Sequence, residues 1–498
     1  MANKKFYLPI FILAVILPFI FNLKLIIEGA MPFWYDPARD LLMAWDNLRK
    51  PTLIGPPSGI PGIFYGPQWI WILSIGMFFS KDPRFIVFLT HFLPYFIIMP
   101  IIFYVLSKDL FNKTGSIILW LFFIFSFSGY TTQIWSPNLA PLMFFIILFL
   151  FHKTNFILEK KSLFNFFLLG LVQGLLLNLH ISFGVGIMVS WFFYFVVIFF
   201  FIFVSKKKAL MSNLANWFIN CFAFGIGFIS ILLPFFLFEL RHGFMQINSL
   251  FFTLNQGFIH NKAVVGQIGL TKIQILNTFF NRYTDLLSIN NKLSIIIVFL
   301  IIGLVLMYIK KGKIKSSESK IIVFLFFNTF VILFTYLTAK NPVWSYHFIA
   351  VEIMFIFLTG ILIKKYSLVK YILTLWVLIL LVINIYRFGL SFNHKQNYPE
   401  LMEKRATVER IYQDAGGEKF GFFGKNAAIY TFDYDYIFRW MGVKLDSNAS
   451  IIYLIIPKDL ISDKVGFTEN RTPEMKYKTM TEWTSQNGTL IIKRRLKK

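Results

Sequence analysis

Acidic residues are scarce: 24 Asp and Glu stand against 49 Lys and Arg in 498 residues, and charged residues of either sign make up only 15%. A soluble chain of this length needs far more charge to cover its surface, so the composition excludes an ordinary soluble protein. There is one cysteine, Cys221, inside an apolar run, which excludes an intrachain disulfide and any multi-cysteine metal site. No internal repeat or low-complexity tract stands out. What is abundant is hydrophobicity, at 57% of residues with 64 Phe and a mean hydropathy of +0.66. The chain reads as a polytopic α-helical membrane protein.

The net charge of +25 belongs with that class. Lys and Arg gather in cytoplasmic loops during insertion, so no nucleic acid partner is expected. A helix needs about 20 apolar residues to cross the hydrocarbon. Candidate spans cover 6–27, 85–106, 115–130, 137–151, 162–179, 183–204, 214–238, 293–309, 321–338, 345–363 and 367–388. The first follows Lys4 and Lys5 with no small-residue cleavage site after it, and reads as an uncleaved span. A further run, Trp69 to Ser80, is shorter. If it stays at the interface, Lys108, Lys113, Lys153, Lys160, Lys161, Lys206 to Lys208, Lys310 to Lys320 and Lys364–Lys365 all fall on one side. That arrangement satisfies the positive-inside rule and predicts about eleven crossings in the cell membrane, N-terminus cytoplasmic.

The predicted membrane domain is 1–388, with external loops 28–84 and 239–292; residues 389–498 form a small extracytoplasmic α/β domain. Its predicted helix lies near Pro399 to Gln413, and its strand-like runs are 419–423, 428–430, 451–456 and 489–492.

The first external loop reads Tyr35-Asp36-Pro37-Ala38-Arg39-Asp40, then Leu41-Leu42-Met43-Ala44-Trp45. Asp36 before Pro37 predicts a helix start with Asp36 as N-cap. Leu41, Leu42 and Trp45 give that helix an apolar face that can rest on the membrane. Two carboxylates and an arginine at one helix end can accept a proton and hold a phosphate; capping and salt-bridging alone would equally account for them. The stretch from Gly55 to Pro67 is rich in Gly and Pro and predicts a rigid wall beside that cluster.

These residues resemble the acidic first-loop motif of the GT-C class of integral-membrane glycosyltransferases. Within that class the likeness is to protein O-mannosyltransferases and lipid A aminoarabinose transferases. The turn through Tyr65-Gly66-Pro67 is similar to the stretch that follows in those proteins. Gly174-Leu175-Leu176-Leu177-Asn178-Leu179-His180 resembles their helix ending in a histidine. Leu233-Pro234 with Phe238-Glu239-Leu240-Arg241-His242-Gly243-Phe244 resembles a signature of prokaryotic members.

The resemblance implies a GT-C fold and transfer of a sugar from a polyprenyl-phosphate donor to a lipid, glycan or protein acceptor, with membrane lipids around the site. It implies Asp36 as general base, with Asp40 as a supporting or alternative carboxylate. Arg39, Arg241, His242, His180 and His347 would surround the donor phosphate, Arg241 foremost; a guanidinium suits phosphate geometry. Tyr35, Tyr65, Gln133, Asn138 and Glu239 would contact substrate. One departure stands out. The segment Tyr130 to Asn138 has no acid, where some relatives carry a second carboxylate, so a divalent metal ion as cofactor stays open. The rival reading is a transporter or flippase of lipid-linked sugars, for which polar residues belong mid-span. Here the acids and histidines gather at the outer span ends.

Overall fold

The computed structural model describes residues 7–58, 62–111, 113–154, 162–204, 210–256, 270–285, 291–310, 317–338, 343–391, 400–425 and 431–497. Among them, six helices are long and apolar enough to cross a membrane: Pro83–Leu110, Ser136–Lys153, Leu214–Arg241, Lys320–Thr338, Tyr346–Lys365 and Lys370–Leu390. Shorter apolar helices include Leu119–Thr132, Leu163–Leu179, Ile181–Val197 and Val298–Tyr308. The protein is a polytopic helical membrane protein, and burial sorts its spans. Residues Val351 to Ile363 are buried on every face, so this helix is the centre of the bundle. Leu214–Arg241 leaves most of its apolar surface uncovered, as a lipid-facing helix does.

Between apolar helices in lipid, close approach depends on small residues. A Cβ on Gly170 would lie 2.0 Å from the Phe224 carbonyl, and one on Gly227 would lie 2.1 Å from the Phe167 carbonyl. The two glycines let the Leu163–Leu179 and Leu210–Arg241 helices touch backbone to backbone.

The Pro83–Leu110 run is not a uniform α-helix. It widens into π-helical turns at Phe88–Phe92 and Pro94–Ile98. Pro94 has no N–H to give, and its ring crowds the carbonyl four residues back, so the helix accommodates it by widening.

The run from Trp69 forms the Gln68–Phe79 helix of 12 residues. That is about 18 Å, short of the roughly 30 Å hydrocarbon core. Trp69, Ile70, Leu73 and Met77 are buried, whereas Ile75, Phe78 and Phe79 face outward.

After the Ser367–Ser391 helix the chain forms the C-terminal α/β unit. Strands β1 (Phe420–Gly424), β2 (Ile451–Ile456), β3 (Tyr477–Thr484) and β4 (Leu490–Leu496) make one sheet in the order β1-β2-β4-β3. The β1–β2 pair is parallel and the other pairs are antiparallel. The predicted helix is found at Leu401–Ala415, begun by a reciprocal cap between Glu400 and Glu403 and closed by Gly416 at φ 57°. The run 428–430 lies outside the described residues. Strand β3 escaped prediction because it is an edge strand, exposed along nearly its whole length, and so has no apolar alternation to betray it.

This unit sits directly on the first-loop helix, Tyr35–Asn47. Its Phe432–Trp440 helix places Phe432 against Tyr35 (ring centroids 5.1 Å) and Tyr436 against Trp45 (5.8 Å). Arg439 stacks on Trp45 at 4.6 Å and pairs with Asp46 at 2.7 Å. The Tyr436 hydroxyl donates to the Lys81 carbonyl at 2.7 Å, and Leu401 N–H donates to the Met31 carbonyl at 3.1 Å. The expected membrane-resting face is therefore corrected. Leu41 is fully buried, and Trp45 is covered by the C-terminal unit. An apolar stripe specifies burial without specifying what buries it.

Candidate active site

The Tyr35–Asn47 helix begins from Trp34, whose backbone is extended and whose side chain makes no cap bond. Asp36 is thus one residue inside the helix, a correction to its expected place as N-cap. Its carboxylate turns to the side chain three residues on: Arg39 Nη1 lies 2.9 Å from Asp36 Oδ1. Pro37 is tolerated because the first-turn N–H groups have no intrahelical partner anyway.

Arg39 joins the two carboxylates. Its Nε and Nη2 donate to Asp40 Oδ1 at 2.9 and 2.8 Å, and its guanidinium carbon lies 5.4 Å from the Tyr35 ring centre. The two acids differ in exposure. The Asp36 side chain is 36% exposed, and its Oδ2 accepts no hydrogen bond from a described residue. Asp40 is 2% exposed, and its Oδ2 accepts from the Trp69 indole N–H at 2.8 Å. Burial pushes Asp40 up to about 6, against the opposing pull of Arg39 and Trp69. Burial works against the charge of Arg39, but Asp40 and Asp36 together hold it above its ordinary value.

The Gly/Pro stretch folds back on itself beside this cluster. Gly55 N–H donates to the Tyr65 carbonyl at 2.7 Å, and Tyr65 N–H to the Pro56 carbonyl at 2.9 Å. A Cβ at Gly66 would lie 2.4 Å from both Asn178 Oδ1 and Gln68 Oε1, so any larger residue there displaces these two buried amides. The tight path brings Tyr65 to the charges. Burial raises its hydroxyl pKa, with Arg39 opposing and Asp36 and Asp40 reinforcing. Tyr346 is also within electrostatic reach of Tyr65 and Asp36. Trp135 closes the ring of aromatics, edge-on to Trp34 at 6.1 Å and to Tyr346 at 5.1 Å.

Other predicted residues are built into the walls. Glu239 is fully buried, and its two oxygens accept the Gln246 and Ile247 N–H groups at 3.2 and 3.1 Å. It caps the Met245–Gln256 helix, so each of its oxygens already accepts a backbone N–H. Gln246 in turn accepts Phe64 N–H at 2.7 Å and ties that helix to the Gly/Pro wall. His180 is buried with both ring nitrogens occupied, Nε2 by the Tyr346 carbonyl at 3.1 Å and Nδ1 by the Ser182 hydroxyl at 3.3 Å. In this arrangement it cannot also grip a phosphate. His347 lies beside it, ring centroids 6.0 Å apart, and its Nδ1 accepts Trp344 N–H at 3.2 Å. Asn138 is buried, donates to Gln133 Oε1 at 3.4 Å, and its carbonyl accepts the Tyr95 hydroxyl. Arg241 and His242 are exposed at the end of their helix. His242 stacks on Phe238 at 4.0 Å, while Arg241 makes no ion pair among the described residues.

Sequence reasoning missed Trp69, whose indole completes the Asp40 site, and Glu352, a buried carboxylate within electrostatic reach of Tyr95. Neither is near the motif in the chain, and neither carries a local signature. Among the described residues no three His, Cys, Asp or Glu side chains gather as metal ligands, and Asp36 and Asp40 are bridged by a guanidinium.

Compared by sequence, the chain matches no protein-family model and no curated protein. By structure it is similar to ArnT from Cupriavidus metallidurans bound to undecaprenyl phosphate. The TM-score is 0.59, covering 99% of this chain and 98% of that one at 8% sequence identity. The likeness is one of fold: the membrane bundle and C-terminal unit together form an ArnT-like fold.

Proposed function

We propose that the protein is an integral-membrane glycosyltransferase that takes a sugar from a polyprenyl-phosphate donor at the outer face of the membrane. The observation that carries this reading is the division of labour between the two aspartates. Asp36 has one oxygen held by Arg39 and the other open; Asp40 is enclosed, both oxygens taken. An open, oriented carboxylate is what a general base requires. The fold supports the donor class, because the similar ArnT structure holds undecaprenyl phosphate.

In the proposed reaction, Asp36 takes the proton of an acceptor hydroxyl or amine. The acceptor forms a bond to the anomeric carbon, and the bond from that carbon to the phosphate oxygen breaks. The electron pair leaves with polyprenyl phosphate. Asp40 does not exchange protons with substrate in this scheme. It and Trp69 fix the guanidinium that orients Asp36. Arg39 is committed to the two carboxylates. Arg241, without a carboxylate partner among the described residues, is the cation offered to the departing phosphate. The loop charges support an orientation of about eleven crossings with the C-terminal domain outside the cytoplasm.

The test uses purified protein in proteoliposomes with polyprenyl-phosphate sugars and a membrane extract as acceptor source. The reading predicts release of polyprenyl phosphate coupled to sugar transfer. Movement of intact lipid-linked sugar between leaflets, with no bond cleaved, would support the transporter instead.

A further inference from the structure

His91 lies in the first widened turn, Phe88–Phe92, and is fully buried. A buried polar ring inside a membrane bundle is costly unless its nitrogens are hydrogen bonded. Here Nδ1 lies 2.9 Å from the Thr90 hydroxyl, whose proton is shared with the Ile86 carbonyl at 2.8 Å, and Nε2 meets the Trp135 carbonyl at 3.2 Å. A carbonyl can only accept, so Nε2 carries the proton. The ring also stands edge-on to Trp69, with centroids 5.7 Å apart and planes at 87°.

These contacts join two parts of the site that the chain keeps apart. On one side Trp69 donates to Asp40, which holds Arg39, which holds Asp36. On the other, Trp135 packs against Trp34 and Tyr346. The widened turn matters because an added residue changes the phase of a helix and so re-aims its side chains.

We propose that His91 is a positioning residue for the transfer reaction: it braces the Trp69 indole against Asp40 while holding the Trp135 carbonyl, fixing the first-loop helix relative to the 130–138 segment. It touches no substrate. The inference rests on the reading of Asp36 as base.

Three variants separate its contacts. His91→Gln keeps a side-chain N–H for the Trp135 carbonyl. His91→Phe keeps the ring edge against Trp69 without the donor. His91→Ala removes both. Each is purified, its folded fraction measured by size-exclusion and melting temperature, and kcat and KM expressed per folded molecule. A misplacement of about 1 Å can cost on the order of a hundredfold in rate. His91→Ala is therefore expected to lose about a hundredfold in kcat and His91→Phe about tenfold, with donor KM nearly unchanged. His91→Gln should recover most of the rate. Wild-type kcat per folded molecule in His91→Ala would overturn the proposal, as would losses that only track the folded fraction. Asp36→Asn is run in parallel: its retained activity would refute the base, whereas an inactive Asp36→Asn beside a fully active His91→Ala refutes the brace alone.

Discussion

Trp69 and Asp40, 29 residues apart in the chain, meet in a buried hydrogen bond of 2.8 Å, indole N–H to Oδ2. This contact distinguishes the two aspartates of the first loop. It fills the last oxygen of Asp40 and leaves the open oxygen to Asp36.

A pH dependence follows for Asp40. Its folded-state pKa of about 6 lies above the ordinary aspartate value of 3.8. The folded protein therefore binds this proton more tightly than the unfolded chain. The resulting stability is complete below about pH 4 and is lost as pH rises through about 6. Asp40→Asn should flatten that part of the melting-temperature profile between about pH 4 and 7. Activity moves the other way. Protonating Asp40 weakens its hold on Arg39, so wild-type kcat should fall as pH drops through about 6, and Asp40→Asn should lack that limb at a lower plateau.

The C-terminal unit should matter to the rate. Phe432 lies against Tyr35, one residue from Asp36, whereas Arg439 and Asp46 form a partly exposed pair at the far end of the same helix. Exposed ion pairs contribute about 0–1 kcal/mol. Arg439→Ala is expected to change kcat less than about threefold, and Phe432→Ala to lower it about tenfold by loosening the first turn. Steady-state kinetics of the two variants check the ranking.

Glu239 should behave as a cap. Glu239→Ala removes both acceptors at the start of the Met245–Gln256 helix, a loss of roughly 1 kcal/mol or more. Hydrogen exchange in that helix should speed up, and because Gln246 anchors Phe64, protection of the Gly/Pro wall should fall with it.

Much of this was legible in the chain. The apolar runs located helices because lipid allows few alternatives, and six of these, among the described residues, are long and apolar enough to cross a membrane. The short apolar segments Ile451 to Ile456 and Leu490 to Ile492 became β2 and the core of β4. The Asp36–Arg39–Asp40 cluster was readable because i,i+3 and i,i+4 positions at a helix start share one face, which brings Asp36 toward both Arg39 and Asp40. What could not be read was which polar groups were already partnered. Glu239 and His180 look like ligands by residue type, yet neighbouring loops consume their hydrogen bonds. Nor does local pattern reveal that Trp69 and His91 lie behind the carboxylates, since only the packed bundle brings them there.

The most direct test is sugar transfer by Asp36→Asn, assayed in proteoliposomes beside wild type at matched folded protein. Loss of a general base typically costs about 10²–10⁴-fold, and a loss of that size in kcat with melting temperature preserved is the result expected. Wild-type turnover in Asp36→Asn, at normal protein levels, would contradict the account.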